Sequence, residues 1–103
     1  MSPNWIPVAQ AADCPPGTAL ELVAADRIVA LFNVAGEFFA LDGVCPHQGG
    51  PLGKGALCGA VLTCPWHGWQ FDVRSGQHQL NPKFFQPRFH TKVEGGTIFV
   101  AWE

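Results

Sequence analysis

Two short runs of residues could do chemistry, and each pairs a thiol with an imidazole. The first reads C-P-H over residues 45–47 and the second C-P-W-H over residues 64–67. Thiolates and neutral imidazoles are ligands for soft and borderline metal ions. Each run offers one thiolate and one imidazole, so each run could give one ligand to each of two metal atoms. Alternatively, all four side chains, Cys45, His47, Cys64 and His67, could close around one tetrahedral ion such as zinc.

Cysteine usage elsewhere in the chain agrees with a metal site. The chain has four cysteines, no run of about 18 apolar residues that would span a membrane, and no secretory signal pattern at its amino terminus. We therefore expect a cytoplasmic protein that makes no membrane contact. In that reducing compartment cysteines are more often metal ligands or buried thiols than disulfides. Cys58 is expected to be a small buried residue and Cys14 a free thiol.

The composition describes one loop-rich domain with few charges. Of 103 residues, 14% are charged, against roughly 25% in an average soluble domain, while 12 are glycine and 9 are proline. An apolar fraction of 48% argues against disorder. Six lysines and arginines against eight acids cannot make the basic surface that nucleic-acid binding needs.

Short apolar segments closed by turn residues predict an all-β protein, an antiparallel sandwich or barrel. A helical turn is expected only near residues 9–12. Tight turns are predicted at residues 35–36, 74–76 and 94–96, where glycine can supply a positive φ. The expected strands are residues 5–8, 18–23, 27–34, 37–42, 60–64, 69–73, 89–93 and 97–102.

The region from about residue 43 to 82 departs from this pattern and contains both candidate metal-binding runs. Between residues 43 and 68 there are seven glycines and three prolines, and the only charged residue is Lys54. A loop region of this length inside a compact domain is usually functional. It is expected to position the four candidate ligands.

The residues around the two runs carry a family resemblance. Residues 45–52 read CPHQGGPL and residues 64–72 read CPWHGWQFD. These segments resemble the two cluster-binding loops of Rieske proteins, and the likeness extends over nearly the whole chain. The resemblance implies a single Rieske domain over residues 1–103, with an antiparallel β scaffold and a small cluster-binding subdomain at about 43–82.

The resemblance also implies the ligands and the role of the chain. Cys45 and Cys64 would bind one iron of a single [2Fe–2S] cluster, and His47 and His67 would bind the other. The chain would be a soluble electron carrier and not an enzyme. It would take one electron from an NAD(P)H-dependent reductase to a terminal oxygenase such as a dioxygenase.

Two alternatives remain open on the sequence alone. The chain could be the Rieske-like small subunit of a nitrite reductase or another multi-subunit oxidoreductase, with the large subunit as its partner. It could also be a structural zinc domain or an iron–sulfur sensor that transfers no electrons.

Departures from the Rieske proteins of membrane complexes predict a low reduction potential. Gly50 and Trp66 stand where those proteins have two cysteines that form a disulfide. Trp69 and Phe71 stand where a serine and a tyrosine would donate hydrogen bonds to sulfur. Because fewer donors disfavour the more negative reduced state, we expect a potential near the low end of the roughly −150 to +300 mV Rieske range.

The aromatic and acidic residues near the runs have simpler interpretations as well. Trp66 and Trp69 could shield the cluster or dock a partner, but they could equally form a small apolar core. Asp72 is expected to stabilise the turn that follows it.

Basic residues and histidines beyond the runs are expected to be part of the surface. His78 and His90 are expected to be solvated or to lie on a strand face, although with a carboxylate they could bind one iron. Lys83, Arg88 and Lys92 would ordinarily form a solvated face, and they could steer an acidic partner.

Overall fold

The strands of the protein form two antiparallel sheets. The computed structural model describes residues 4–45, 49–66, 68–81 and 83–102. Within those residues there are nine strands: β1 (Ile6–Gln10), β2 (Ala19–Ala24), β3 (Arg27–Val34), β4 (Glu37–Asp42), β5 (Ala56–Cys58), β6 (Val61–Thr63), β7 (Gln70–Asp72), β8 (Arg88–Glu94) and β9 (Thr97–Ala101). The only helical elements described are two 3₁₀ turns, Ala11–Asp13 and Leu52–Lys54.

The larger sheet has the strand order β1-β9-β8-β4-β3-β2, and its two edges curl towards each other into a nearly closed barrel. The smaller sheet has the order β5-β6-β7. These strands confirm the predicted all-β class. No helix among the described residues is long and apolar enough to cross a membrane.

Tight hairpins fix the register of the larger sheet, and the sequence predicted two of the three that join its described strands. In the β3–β4 hairpin Val34 pairs with Glu37, and the two turn residues Ala35 and Gly36 have φ values of 52° and 95°. Positive φ at both turn positions matches the right-handed twist of the flanking strands. The β8–β9 hairpin uses two glycines in the same way. Both turns confirm the sequence prediction.

Strand β3 is buried on both faces, which explains its continuous apolar sequence. Val29 and Leu31 point into the barrel, where they belong to the same apolar cluster as Ile98 and Val100. The alternate residues of β3 and β4 point the other way and form a second apolar cluster with the smaller sheet. Its buried members are Ala30, Phe32, Leu41, Cys45, Leu52, Leu62, Cys64, Phe71 and Val73. The barrel therefore supports the smaller sheet through side chains of β3 and β4 that point away from the barrel interior.

Two details differ from the sequence prediction. Strand β5 was not expected, because its three residues lie in a glycine-rich stretch without periodicity. It forms because Leu57 pairs with Leu62 of β6. The helical turn expected near residues 9–12 lies at Ala11–Asp13, since Ala9 and Gln10 continue β1 after a bulge.

Candidate metal centre

The first cysteine run leaves the end of β4 and is held closed by backbone hydrogen bonds. Cys45 N donates to Gly50 O at 2.8 Å, and Gly49 N donates to Cys45 O at 3.0 Å. Gly49 has a φ of +74°, a conformation that side chains rarely adopt. The base of the loop is joined by an isolated bridge between Val44 and Pro51. The scaffold thus fixes both ends of the loop.

The second cysteine run is the tip of the β6–β7 hairpin. Thr63 pairs with Gln70 at the last position of the two strands, and Cys64 N donates to Trp69 O at 2.7 Å. Gly68 has a φ of +73°, which allows the chain to reverse before Trp69. Cys64 is therefore held at the start of a short, closed loop.

Gly50 brings the two loops into contact. A Cβ built on Gly50 would lie 2.7 Å from Cys64 Sγ and 2.9 Å from Trp66 Cβ. These distances are shorter than real Cβ contacts, so only glycine allows this approach. Because the carbonyl of Gly50 accepts from Cys45 N, this residue connects both predicted cysteine ligands.

Both cysteines are buried in a nearly uncharged environment. Cys45 and Cys64 are each 1% exposed and belong to the apolar cluster between the barrel and the smaller sheet. Lys54, the one charged residue between positions 43 and 68, is exposed, and its Nζ lies 3.5 Å from Glu21 Oε2 of β2. Two thiol groups in adjacent closed loops suit a metal group that is close to neutral overall.

The other two predicted ligands, His47 and His67, lie outside the described residues. Among the residues that are described, no three His, Cys, Asp or Glu side chains form a metal-binding group. The structure therefore describes the cysteine half of the predicted set.

The remaining cysteines are separate from this centre. Within the described chain all four cysteines are free of disulfides. Cys14 is fully buried in the barrel, and burial raises the pKa of its thiol. Cys58 is exposed at the end of β5, so the expectation that it is buried is wrong. Its side chain lies just before the β5–β6 turn, on the side of the hairpin that faces solvent.

The two tryptophans have different environments. Trp69 packs against Phe71, His78 and Phe84, with ring centroids 6.4, 4.6 and 5.4 Å away. This is the small apolar core that one interpretation of the sequence expected. Trp66 is 50% exposed and lies beside Gly50. Its side chain therefore lies at the surface where the two cysteine loops meet, where it could contact a partner.

Asp72 has the turn role predicted for it. Its Oδ1 accepts a hydrogen bond from Arg74 N at 2.9 Å, and the Arg74 guanidinium donates to both carboxylate oxygens. The side-chain hydrogen bonds from Arg74 lower the pKa of the Asp72 carboxyl. The carboxylate thus fixes the turn after β7.

The sequence predicts that His78 is solvated or lies on a strand face; it lies beside β7 but is buried there, so the solvated alternative is wrong. It is 8% exposed and joins Phe71 in an isolated bridge at the side of the smaller sheet. The sequence gives no sign of this burial, because His78 lies between two glutamines. His90, by contrast, is exposed on β8, as expected.

Gln86 supports the base of the first loop and was not identified from the sequence. Its side chain is 3% exposed, and Nε2 donates to the carbonyl oxygens of Asp42 and Val44 at 2.8 Å each. Gln86 N also donates to Gly76 O, which ties the loop base to the turn after β7. In the sequence, Gln86 is distinguished only as a polar residue between Phe85 and Pro87.

Replacing Gln86 by methionine should therefore weaken the first loop. Methionine has nearly the same shape but donates no hydrogen bond, so two carbonyls near Cys45 lose their donor. Leaving such buried groups unpaired costs about 1–3 kcal/mol. Urea unfolding followed by circular dichroism should show that loss for Gln86→Met and almost none for Gln77→Met at an exposed position. Equal stability of the two variants would contradict the role of Gln86.

Comparison with known proteins agrees with this geometry. The profile of the Rieske [2Fe-2S] domain family matches residues 4–92. The ferredoxin CarAc of Metapseudomonas resinovorans is 32% identical, and the match covers 100% of this chain and 98% of the relative. The chain belongs to the Rieske [2Fe–2S] domain family.

Solved structures agree at the level of the whole chain. The Sphingomonas yanoikuyae B1 ferredoxin superposes with a TM-score of 0.88 at 25% identity, covering 97% of this chain and 100% of that one. A ferredoxin solved in complex with the oxygenase of carbazole 1,9a-dioxygenase gives a TM-score of 0.86 at 30% identity, covering 94% and 92%. The chain is thus a [2Fe–2S] electron carrier of the ferredoxin type and not a catalytic subunit.

Proposed function

We propose that this protein carries one electron at a time from an NAD(P)H-dependent reductase to a terminal oxygenase. The observation that supports this most is the contact at Gly50, which brings two buried cysteines of separate loops together in a domain of the Rieske family. The relatives described above are ferredoxins, and one was solved in complex with its oxygenase. They favour a carrier over the small subunit of a nitrite reductase.

We assign the ligand set to Cys45, His47, Cys64 and His67. The two buried thiols fit the cysteine half of a Rieske site, and the motif supplies a histidine two or three residues after each. When bound, the cluster supplies reversible one-electron chemistry. The protein holds the thiolates in a dry environment and closes each loop through its own backbone.

Residues of about 43–82 would form the cluster-binding subdomain within a single domain over residues 1–103. The two cysteine loops, the smaller sheet and the segment after it all fall in this range. In support, Leu52 N donates to Gly43 O and Gln86 reaches Asp42 O and Val44 O, so the range is anchored where it leaves and rejoins the barrel.

We further place the protein in the cytoplasm, where the reductase and the oxygenase would meet it. The four cysteines form no disulfide, and one of them, Cys58, is exposed, which suits a reducing compartment. The basic residues Arg88 and Lys92 are engaged on the scaffold. Arg88 donates to Arg74 O, and Lys92 Nζ lies 4.6 Å from the Trp5 ring centroid. These contacts leave both side chains charged, so steering of an acidic partner by Lys83, Arg88 and Lys92 stays a prediction.

Electron transfer can be tested directly by stopped-flow mixing. The dithionite-reduced protein would be mixed with oxidised terminal oxygenases of Rieske systems, including that of carbazole 1,9a-dioxygenase and those encoded near the gene. The proposal expects second-order oxidation of the protein by at least one of them. No transfer to any oxygenase, together with transfer to a nitrite reductase large subunit, would favour the alternative. A colourless protein that holds one zinc ion would refute both.

The reduction potential is expected near the low end of the roughly −150 to +300 mV Rieske range. Phe71 is fully buried and Trp69 half-buried at the positions where hydroxyl donors would stand, and neither side chain offers a hydroxyl group. Protein-film voltammetry would measure the potential. A potential well above zero would contradict the argument that the missing hydroxyl donors lower the potential.

A further inference from the structure

His78 connects the second cysteine loop to a group of exposed apolar side chains. Its ring meets Trp69 edge-to-face, with centroids 4.6 Å apart and planes at 89°. Trp69 is the residue whose carbonyl closes the loop on Cys64 N. On its other side, His78 contacts the chain that carries Leu80, Phe84 and Phe85, which we call the apolar edge. Its three side chains are 88%, 44% and 66% exposed.

The imidazole holds the backbone of this edge through one nitrogen. His78 Nδ1 accepts hydrogen bonds from Leu80 N at 3.0 Å and from Asn81 N at 3.1 Å. Backbone bonds from His78 N to Phe84 O and from Phe84 N to Asn81 O complete the turn. Since Nδ1 accepts two bonds, the ring proton is on Nε2, which is buried without an oxygen or nitrogen partner among the described residues.

We propose that His78 is a positioning residue for electron transfer. It holds the apolar edge in the conformation to which the terminal oxygenase docks. The inference rests on the proposed function. Electrons pass only over short distances, so the acceptor must approach beside the cysteine loops. The apolar edge borders the second loop through the contact between Phe84 and Trp69, whose centroids are 5.4 Å apart. Exposed aliphatic and aromatic side chains favour an apolar patch on the partner.

Two substitutions at His78 distinguish the role of its hydrogen-bond acceptor, Nδ1, from the role of its aromatic ring. His78→Phe keeps an aromatic ring but loses the acceptor for Leu80 N and Asn81 N. His78→Asn keeps an acceptor atom at the position of Nδ1 and loses the ring. With the oxygenase that wild type reduces in the stopped-flow assay, the apparent Kd should rise about tenfold for His78→Phe, or about 1.4 kcal/mol. It should remain within about threefold of wild type for His78→Asn, a difference below about 0.7 kcal/mol.

Other measurements distinguish docking from damage to the cluster or the fold. The limiting rate, the reduction potential, the electron paramagnetic resonance spectrum and the rate of oxidation by ferricyanide should all match wild type in both variants. The matched control is His90→Phe at an exposed position on β8, which should leave the apparent Kd unchanged. A wild-type Kd in His78→Phe, or a changed potential in both His78 variants, would overturn the proposal.

If His78→Phe does not fold, a substitution at an exposed residue of the apolar edge can still test whether that edge docks the oxygenase. Leu80 is 88% exposed, so Leu80→Ser should leave stability intact and raise the Kd by itself. In the double variant His78→Phe/Leu80→Ser the two effects should not add, because both act on the same edge. No effect of Leu80→Ser would refute the proposal. Failure of wild type to reduce any oxygenase would instead refute the proposed function.

Discussion

His67→Ala is expected to abolish the mixed-ligand absorption and electron paramagnetic resonance spectra, whereas His78→Ala and His90→Ala retain them. The reason is that one iron of a Rieske cluster depends on two imidazoles, and alanine offers no replacement ligand. His78 is already engaged through Nδ1 with two backbone N–H groups, and His90 is exposed on β8. Spectra of the three purified variants, with iron content per chain, would measure the effect.

A second substitution at His67 distinguishes the effect of losing a ligand from the effect of changing the kind of ligand. His67→Cys offers a thiolate in place of the imidazole, so a cluster could be retained with one more negative charge. The reduction potential should then fall below that of wild type, towards the roughly −400 mV typical of plant-type ferredoxins with four cysteines. Equal loss of the cluster in His67→Ala, His78→Ala and His90→Ala would refute the ligand assignment.

Gly50→Ala is expected to reduce cluster occupancy several-fold while the β scaffold remains folded. The added methyl group would lie 2.7 Å from Cys64 Sγ and 2.9 Å from Trp66 Cβ, so the two loops must move apart. Overpacking of this kind costs about 1–3 kcal/mol, and here the strain acts directly on a predicted ligand. Iron content and visible absorption would report the cluster, and circular dichroism would report the scaffold.

Gly59→Ala provides the matched control. Gly59 has a φ of +59° and nothing within 4 Å of its built Cβ, so alanine there has room but adopts a strained backbone. We expect it to cost about 1–2 kcal/mol of stability and to leave cluster occupancy unchanged. If Gly50→Ala bound as much iron as Gly59→Ala, close contact between the loops would not matter for the site.

The sequence predicted most of the β scaffold because its strands and turns have local causes. Arg27–Val34 and Glu37–Asp42 agree with the predicted strands, since an apolar run is followed by a two-residue turn that tolerates positive φ. Strand β5 was missed because three residues among glycines carry no periodic signal. Its formation depends on pairing with β6, which lies further along the chain.

The ligand set stays a prediction, and it comes from a specific motif in each loop rather than from a periodic pattern. The supporting residues were not predictable, because their roles depend on distant partners. Gln86 reaches carbonyls more than forty positions earlier in the chain. His78 could not be distinguished from a surface histidine until its burial against Trp69 and Phe71 was known. Polar residues of this kind show their role only in three dimensions.

The burial of β3 on both faces has a consequence for cooperativity. Alternate side chains of one strand complete the barrel interior and the cluster that contains Cys45 and Cys64. A strand whose side chains belong to two cores cannot leave one core without exposing the other, so unfolding of the barrel should also expose Cys45 and Cys64. Unfolding of the barrel should therefore bleach the bound cluster, although the cluster can also be lost while the barrel stays folded.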